Sequence, residues 1–414
     1  MIGSLFAGVS GLNVNSKALN LIGDNIANVN TAGFKSSRSS FSNILSQSLT
    51  GTGASEIGRG VEFWTATPMW SQGTVENTTN PTDMAINGRG FFTLRDATGA
   101  DFYSRAGDFS FNRDGFLTNP DGLYIQGYQV LSVNPDSTLN LGIISDINVP
   151  DQSTDPPADT TLFTMDVNLD ARAANLDTYA TTLIVYDSLG NAVPMTITFE
   201  KQAANQWVAT PTLPAGALGA GGSISIVNNT FDFTGLGGLQ PGGTDPTITI
   251  NGLASGAGPM SISWDVFDLA GVTNGDLTQY ANASATTFQT QNGYTSGVLR
   301  GVAVDESGVV TGSYSNGQLT PLFQVVLSDF PSYYGLSKLG NNLYAESRNS
   351  GQAMPGTAQS GRLGSISPSA IEMSNVDLAQ EFVKMIITQR AFQANSRVIT
   401  VSDEILSELL NLKR

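Results

Sequence analysis

The sequence predicts a mainly β protein with long terminal α-helices: nested antiparallel β domains plus a paired N- and C-terminal helical domain of coiled-coil type. Three observations predict it. Apolar residues recur at heptad spacing at both ends of the 414-residue chain. The interior breaks into short runs of β-branched and aromatic residues separated by Asn-Gly, Asp-Gly and Ser-Gly turns. Near residue 150 the composition turns acidic and glycine-rich, which marks an inserted domain.

The first helix is expected over 1–30, with Leu5, Leu12, Leu19 and Ile26 seven apart. Gly3, Gly8, Gly11 and Gly23 each cost about 0.8–1 kcal/mol against Ala inside a helix. Asn13, Asn15, Asn20 and Asn25 prefer caps and turns. This helix therefore orders by packing rather than alone. Asn30 and Gly33 read as its stop. Residues 31–70 form a flexible connector: 36–60 are rich in Ser, Thr and Gly, an irregular stretch with one short helix. Its glycines Gly51, Gly53, Gly58 and Gly60 are the expected points of flexure.

Strand signals fill 71–150 and 291–370, read together as an inner β domain. Met84–Ile86 and Gly90–Leu94 flank Asn87-Gly88, a hairpin signal. Asp114-Gly115 and Asp121-Gly122 give further turns. Residues 335–370 read as Gly- and Ser-rich turns. The outer domain, 151–290, is inserted between these two parts. It carries thirteen acids against Arg172 and Lys201. Thr181–Tyr186 and Met195–Phe199 flank Leu189-Gly190-Asn191 as a hairpin. Glycines at 216, 219, 221 and 222, and at 235, 237 and 238, mark long loops.

The last helix is expected over 374–412, which has no Pro or Gly, at a length of roughly 60 Å. Leu378, Met385, Phe392, Ile399 and Leu406 form one heptad row, and Ala391, Val398, Ile405 and Leu412 a second. Ser374 or Asn375 is the expected cap, and Lys413 and Arg414 suit the negative end of the dipole. Residues 371–414 and 1–30 thus form one paired helical domain. Its stripe either staples a monomer or meets other copies.

Composition excludes several function classes. With no Cys and no His, disulfides, thiolate metal sites and Ser-His-Asp or Cys-His catalysis are absent. A net charge of −16 argues against nucleic acid and anionic membrane surfaces as partners. No apolar run is long enough to span a membrane, and the first residues do not read as a secretory signal. Asp151, Asp155 and Asp159 recur every four residues, but two prolines interrupt the spacing a calcium loop needs, so they read as an acidic linker. The Gly-rich runs near 219 and 235 lack the context of phosphate loops, and Ser-x-x-Lys does not occur. Trp64, Trp70, Trp207 and Trp264 read as core rather than sugar platforms. No catalytic, metal or cofactor-binding residue is assigned, and no cofactor is expected.

The motif Asn25-Ile26-Ala27-Asn28-Val29-Asn30-Thr31-Ala32-Gly33-Phe34-Lys35 resembles the N-terminal signature of the bacterial flagellar rod and hook proteins. Its Asn25, Asn28, Asn30, Thr31, Gly33 and Phe34 carry the match. Met84–Phe92, Tyr103–Gly107 and Asp114–Asn119 resemble that family's shared β domain. Ser374–Leu378 and Gln389–Asn395 are similar to its C-terminal helix. Tyr186–Ala192 resembles the insert of the hook members, and the size of 151–290 favours them over the shorter rod members.

The resemblance implies a structural homopolymer, not an enzyme: a curved hollow tube acting as a universal joint that carries torque from rod to filament. It implies as partners other copies of the chain, the distal rod protein, the hook cap protein, the hook–filament junction protein and the flagellar type III export apparatus, with no nucleic acid and no membrane insertion. It places the protein outside the cell in the flagellar hook, exported without a cleaved signal peptide. The heptad residues named above then become contacts between subunits. The competing readings are a distal rod protein with an unusual insert, a secreted β-rich adhesin with oligomerising terminal helices and, furthest off, a glycan hydrolase.

Overall fold

The computed structural model describes residues 2–44, 47–48, 56–57, 60–134, 136, 138–150, 152–268 and 271–411. Among the described residues, two α-helices and many short strands make up the fold, as the predicted class requires. Helix α1 spans Ile2–Ala27 and α2 spans Leu378–Asn411. Contacts divide the chain into two compact units. One comprises Met1–Asp151, Gly301–Gly312 and Leu319–Arg414; the other comprises Gln152–Arg300 and Ser313–Gln318.

In the first unit, one sheet runs in the order Leu319–Asp329, Tyr124–Val133, Phe91–Arg95, Asp101–Ser104, Leu343–Ala345 and Ser337–Gly340. Phe91, Phe92, Leu94, Ile125, Val325, Val326 and Leu327 are fully buried and form its core. Strand Phe91–Arg95 is buried on both faces, which explains its unbroken apolar run. Asn87-Gly88 does not close a hairpin. Met84–Asn87 pairs with Ser365–Pro368 instead, and Phe91–Arg95 pairs with Asp101–Ser104 across a turn at Asp96–Gly99. The turns at Gly115, Gly122 and Gly308 occur where expected. Residues 335–370, expected as turns, contain four short strands, because their backbone completes the edges left by earlier strands.

The connector also differs from expectation. Ser37–Asn43 and Val61–Pro68 pair as a two-stranded antiparallel ribbon, not an irregular stretch. The first strand, Ser37–Asn43, is so rich in Ser that no apolar alternation marks it. Gly51, Gly53 and Gly58, three of the expected points of flexure, lie outside the described residues.

In the second unit, a six-stranded and a four-stranded sheet enclose one core. Trp264 stacks on Phe163 at 5.3 Å and meets Phe199 and Phe231 of the opposite sheet edge-on. Thr178–Tyr186 and Ala192–Ala203 form the expected hairpin around Gly190. Two features were not expected. Leu162–Asn168 pairs in parallel with Met260–Trp264 and with Leu277–Thr278. Gly219, Gly221 and Gly222 lie in a bulged strand, Leu218–Val227, rather than in a loop. Asp155 is buried and accepts a hydrogen bond from Asn316. Of the four tryptophans, Trp207 and Trp264 are core, Trp70 is half-buried and Trp64 is exposed, contrary to its predicted place in the core.

Candidate functional site: the terminal helix pair and its junction

Helix α2 begins where Asp377 caps it. The Asp377 Oδ1 accepts from the Ala379 and Gln380 N–H groups at 2.9 and 3.1 Å, while Gln380 Nε2 donates back to Oδ2 at 3.0 Å. The cap is thus neither Ser374 nor Asn375. Asn375 instead clamps both legs of the ribbon: its amide donates to the Met69 and Ser71 carbonyls and accepts from Ser36 N–H.

The two helices pack together. The face of α1 that is buried carries Gly8, Gly11, Val14, Ala18, Ile22 and Asn25. Leu5, Leu12, Leu19 and Ile26 flank that face and are half-buried. Glycines that looked merely weakening have a packing role. A Cβ on Gly11 would lie 2.7 Å from Asn395 Oδ1, and one on Gly8 would lie 3.0 Å from Ile399 Cγ1. Their absence of side chain lets the helices approach closely.

Across from α1, α2 presents two interleaved rows. Met385, Ile399 and Leu406 of the predicted row are half-buried, whereas Leu378 is exposed and Phe392 remains 37% exposed. The second row in the seam is polar: Glu381, Thr388, Asn395 and Ser402. Thr388, Asn395 and Ser402 donate to carbonyls of their own helix, at Lys384, Ala391 and Val398, and so satisfy themselves without bridging the helices. Asn25 Nδ2 reaches Glu381 Oε2 at 3.3 Å, and Lys384 Nζ donates to Glu381 Oε1 at 2.7 Å. Ala391 is half-buried, while Val398 and Ile405 of the predicted second row face outward and are exposed; Leu412 lies outside the described residues. Phe382, Val383, Ile386, Ile387 and Val401 are exposed with them, Ile387 at 62%.

The motif residues build the junction below the helices. Asn25 accepts from Ser37 N–H and donates to Ser37 O, both at 2.9 Å, pinning the ribbon to α1. Asn28 donates to the Asp24 carbonyl, and Thr31 Oγ1 donates to Asn28 Oδ1 at 3.1 Å, closing the helix end. Gly33 adopts φ +69° against the backbone of Arg105 and Ala106, where a Cβ has no room. Phe34 is buried with the Lys338 ammonium 4.9 Å from its ring centre. Asn30 is exposed.

Sequence reasoning missed the centre of this junction. The Glu372 side chain, 0% exposed, accepts from Lys35 Nζ at 2.6 Å, Arg105 Nη1 at 3.2 Å and Gly73 N–H at 2.8 Å. Its own carbonyl accepts from Gly33 N–H at 2.7 Å. Lys35 is 1% exposed, and burial pushes its ammonium below the ordinary lysine value while the Glu372 carboxylate pulls it back up. Lys35 stands at the end of the N-terminal motif, but a partner 337 residues away has no local signature.

Known families tile the chain in the same places. "Flagella basal body rod protein" matches residues 5–35, "Flagellar hook protein FlgE/F/G D1 domain" 85–165, "Flagellar basal body protein FlaE D2 domain" 157–294 and "Flagellar basal body rod FlgEFG protein C-terminal" 367–412. The flagellar hook protein FlgE of Borreliella burgdorferi is 33% identical over all of both chains. That of Escherichia coli strain K12 is 34% identical over 98% of each, and that of Salmonella typhimurium likewise. A crystal structure of the Helicobacter pylori flagellar hook protein FlgE2 aligns with a TM-score of 0.53 and 15% identity, covering 72% of this chain and all of that one, which bears on the fold. The helix ends, the motif junction and both β units therefore fall within one full-length pattern of similarity, and the chain belongs to the flagellar hook protein family.

Proposed function

We propose that the terminal helix pair is the polymerisation element of a structural subunit of the bacterial flagellar hook. The observation that carries this is the distribution of polarity on α2. Its seam with α1 holds Glu381, Thr388, Asn395 and Ser402 beside Met385, Ile399 and Leu406, while Phe382, Val383, Ile386, Ile387, Val401 and Ile405 face outward. A helix that mixes a polar row into the seam with its own partner and leaves so many large apolar side chains outside it is built to meet another chain. The outward rows, with Leu378 and Phe392, then form seams between copies in the wall of a hollow tube, and the flanking Leu5, Leu12, Leu19 and Ile26 complete them.

On this reading the chain is an extracellular flagellar component without catalytic function. The helical part, 1–30 and 371–414, lines the channel, with 71–150 and 291–370 and then 151–290 as outer layers, and 31–70 joining helices to β structure. Its partners are its own copies, the distal rod and hook–filament junction proteins at the two ends, the hook cap protein during growth, and the type III export apparatus that delivers it without a cleaved leader. Electron microscopy of the assembled full chain tests the reading. Curved tubes are expected, and a chain cut to 31–373 is expected to stay soluble and folded but unassembled. Straight tubes favour the distal rod protein, and specific ligand binding by the cut chain favours an adhesin.

A further inference from the structure

The ribbon contains one irregularity. Ser37 to Ser40 pair with Pro68 to Thr65 in register, and then Phe41 pairs with Phe63. Trp64 is skipped. It is the extra residue of a β-bulge, a device that re-aims a side chain. Trp64 lies with exposed Glu62 on the side of the strand opposite half-buried Val61 and Phe63, and at the bulge the exposed run continues through Thr65 and Ala66. Phe63 stays half-buried, edge-on to Phe41 at 6.3 Å and under the Lys17 ammonium of α1. Trp64 stands 74% exposed, with Phe41 of the facing strand exposed as well. An aromatic of this size offers on the order of 150–250 Å² to a partner, and Trp is enriched among residues that dominate interfaces.

We propose that Trp64, exposed beside the bulge, is an assembly anchor that becomes buried against a second copy of this chain. This deepens the polymerisation reading above and rests on it. The occupant follows from the charge of the patch. The chain as a whole carries −16 and repels its own copies at long range. The ribbon's exposed described residues include one acid, Glu62, and one base, Arg38, so the patch is neutral and a like copy meets no electrostatic barrier there. With a single base, it offers nothing to a phosphate backbone or an anionic bilayer. Trp64 thus supplies a contact on the connector, apart from the helical seams.

The test uses the full-length protein and acrylamide quenching of its tryptophan fluorescence. Trp207 and Trp264 are core and Trp70 is half-buried, so the readily quenched fraction of the unassembled wild type is that of Trp64. Trp64→Phe identifies it by removing it. On assembly that fraction is expected to fall at least about threefold with a blue shift. Trp64→Ala is expected to raise the critical concentration about tenfold or more, with an unchanged circular dichroism spectrum and melting temperature. Unaltered quenching in wild-type tubes, or Trp64→Ala tubes forming at the wild-type concentration, overturns the anchor and leaves the helical seams standing. A wild-type chain that forms no tubes overturns the polymerisation reading, and the anchor falls with it.

Discussion

Replacing Glu372 with Gln keeps the volume of the side chain and an acceptor for Gly73 N–H, but removes the charge shared by Lys35 and Arg105. Both cations are nearly inaccessible, at 1% and 5% side-chain exposure, so water does not replace the lost carboxylate. Leaving a buried charge uncompensated costs about 3–5 kcal/mol. For a unit of 150–250 residues, about 2–4 °C per kcal/mol gives a melting temperature lower by roughly 6–20 °C. Calorimetry of the full chain reads this, with the Trp264-centred core of the second unit as internal reference. The pH dependence carries a sign. Lys35 has a folded-state pKa below its ordinary 10.5, so it binds its proton less readily when folded. The penalty for holding it charged is in force below the folded value and fades as pH rises toward 10.5. Removing the carboxylate lowers the folded value further, so Glu372→Gln should regain part of its lost stability on going alkaline. An unchanged melting temperature at neutral pH, or a deficit that widens as pH rises, would refute the account of this cluster.

Three further outcomes are expected. Gly11→Val places atoms where Asn395 sits, 2.7 Å from the Cβ position, so α1 should lose amide-exchange protection by at least about tenfold while the strand Phe91–Arg95 keeps its own. Asp377→Ala removes the α2 cap at a cost of about 1 kcal/mol, seen as faster exchange at Ala379 and Gln380 only. Phe392→Ala and Leu19→Ala should each slow polymerisation measured by sedimentation without changing the β signal in circular dichroism; normal tubes from both would remove these residues from the seam.

The long, periodic elements were legible in the sequence because local pattern determines them. Both helices, the Gly190 hairpin and the turns at Gly115 and Gly122 fall where spacing and turn chemistry place them. What local pattern could not supply was partnership. Asn87-Gly88 has hairpin chemistry, yet its flanking strands pair elsewhere, with Ser365–Pro368 and Asp101–Ser104. The heptad rows of α2 were visible, but which rows meet α1 depends on Gly8 and Gly11, which permit close approach to Ile399 of the apolar row and Asn395 of the polar one. The junction motif was recognisable from Asn25 to Phe34, but its central carboxylate, Glu372, sits in an ordinary Ala-Ile-Glu-Met run. Trp64 departs from its expected core position because it shares the solvent side of its strand with Glu62, while Val61 and Phe63 take the packed side.

The bond between Lys35 and Glu372 joins residues 337 apart, and it has a kinetic consequence. The loop it closes is nearly the whole chain, so its formation waits on whatever folds between. Synthesis runs N-terminus first, so Lys35 has no counterpart, Ser36 no clamp from Asn375, and Gly8 and Gly11 no α2 until the last forty or so residues emerge. The junction and the helix pair therefore form last, after the β structure between them has been made.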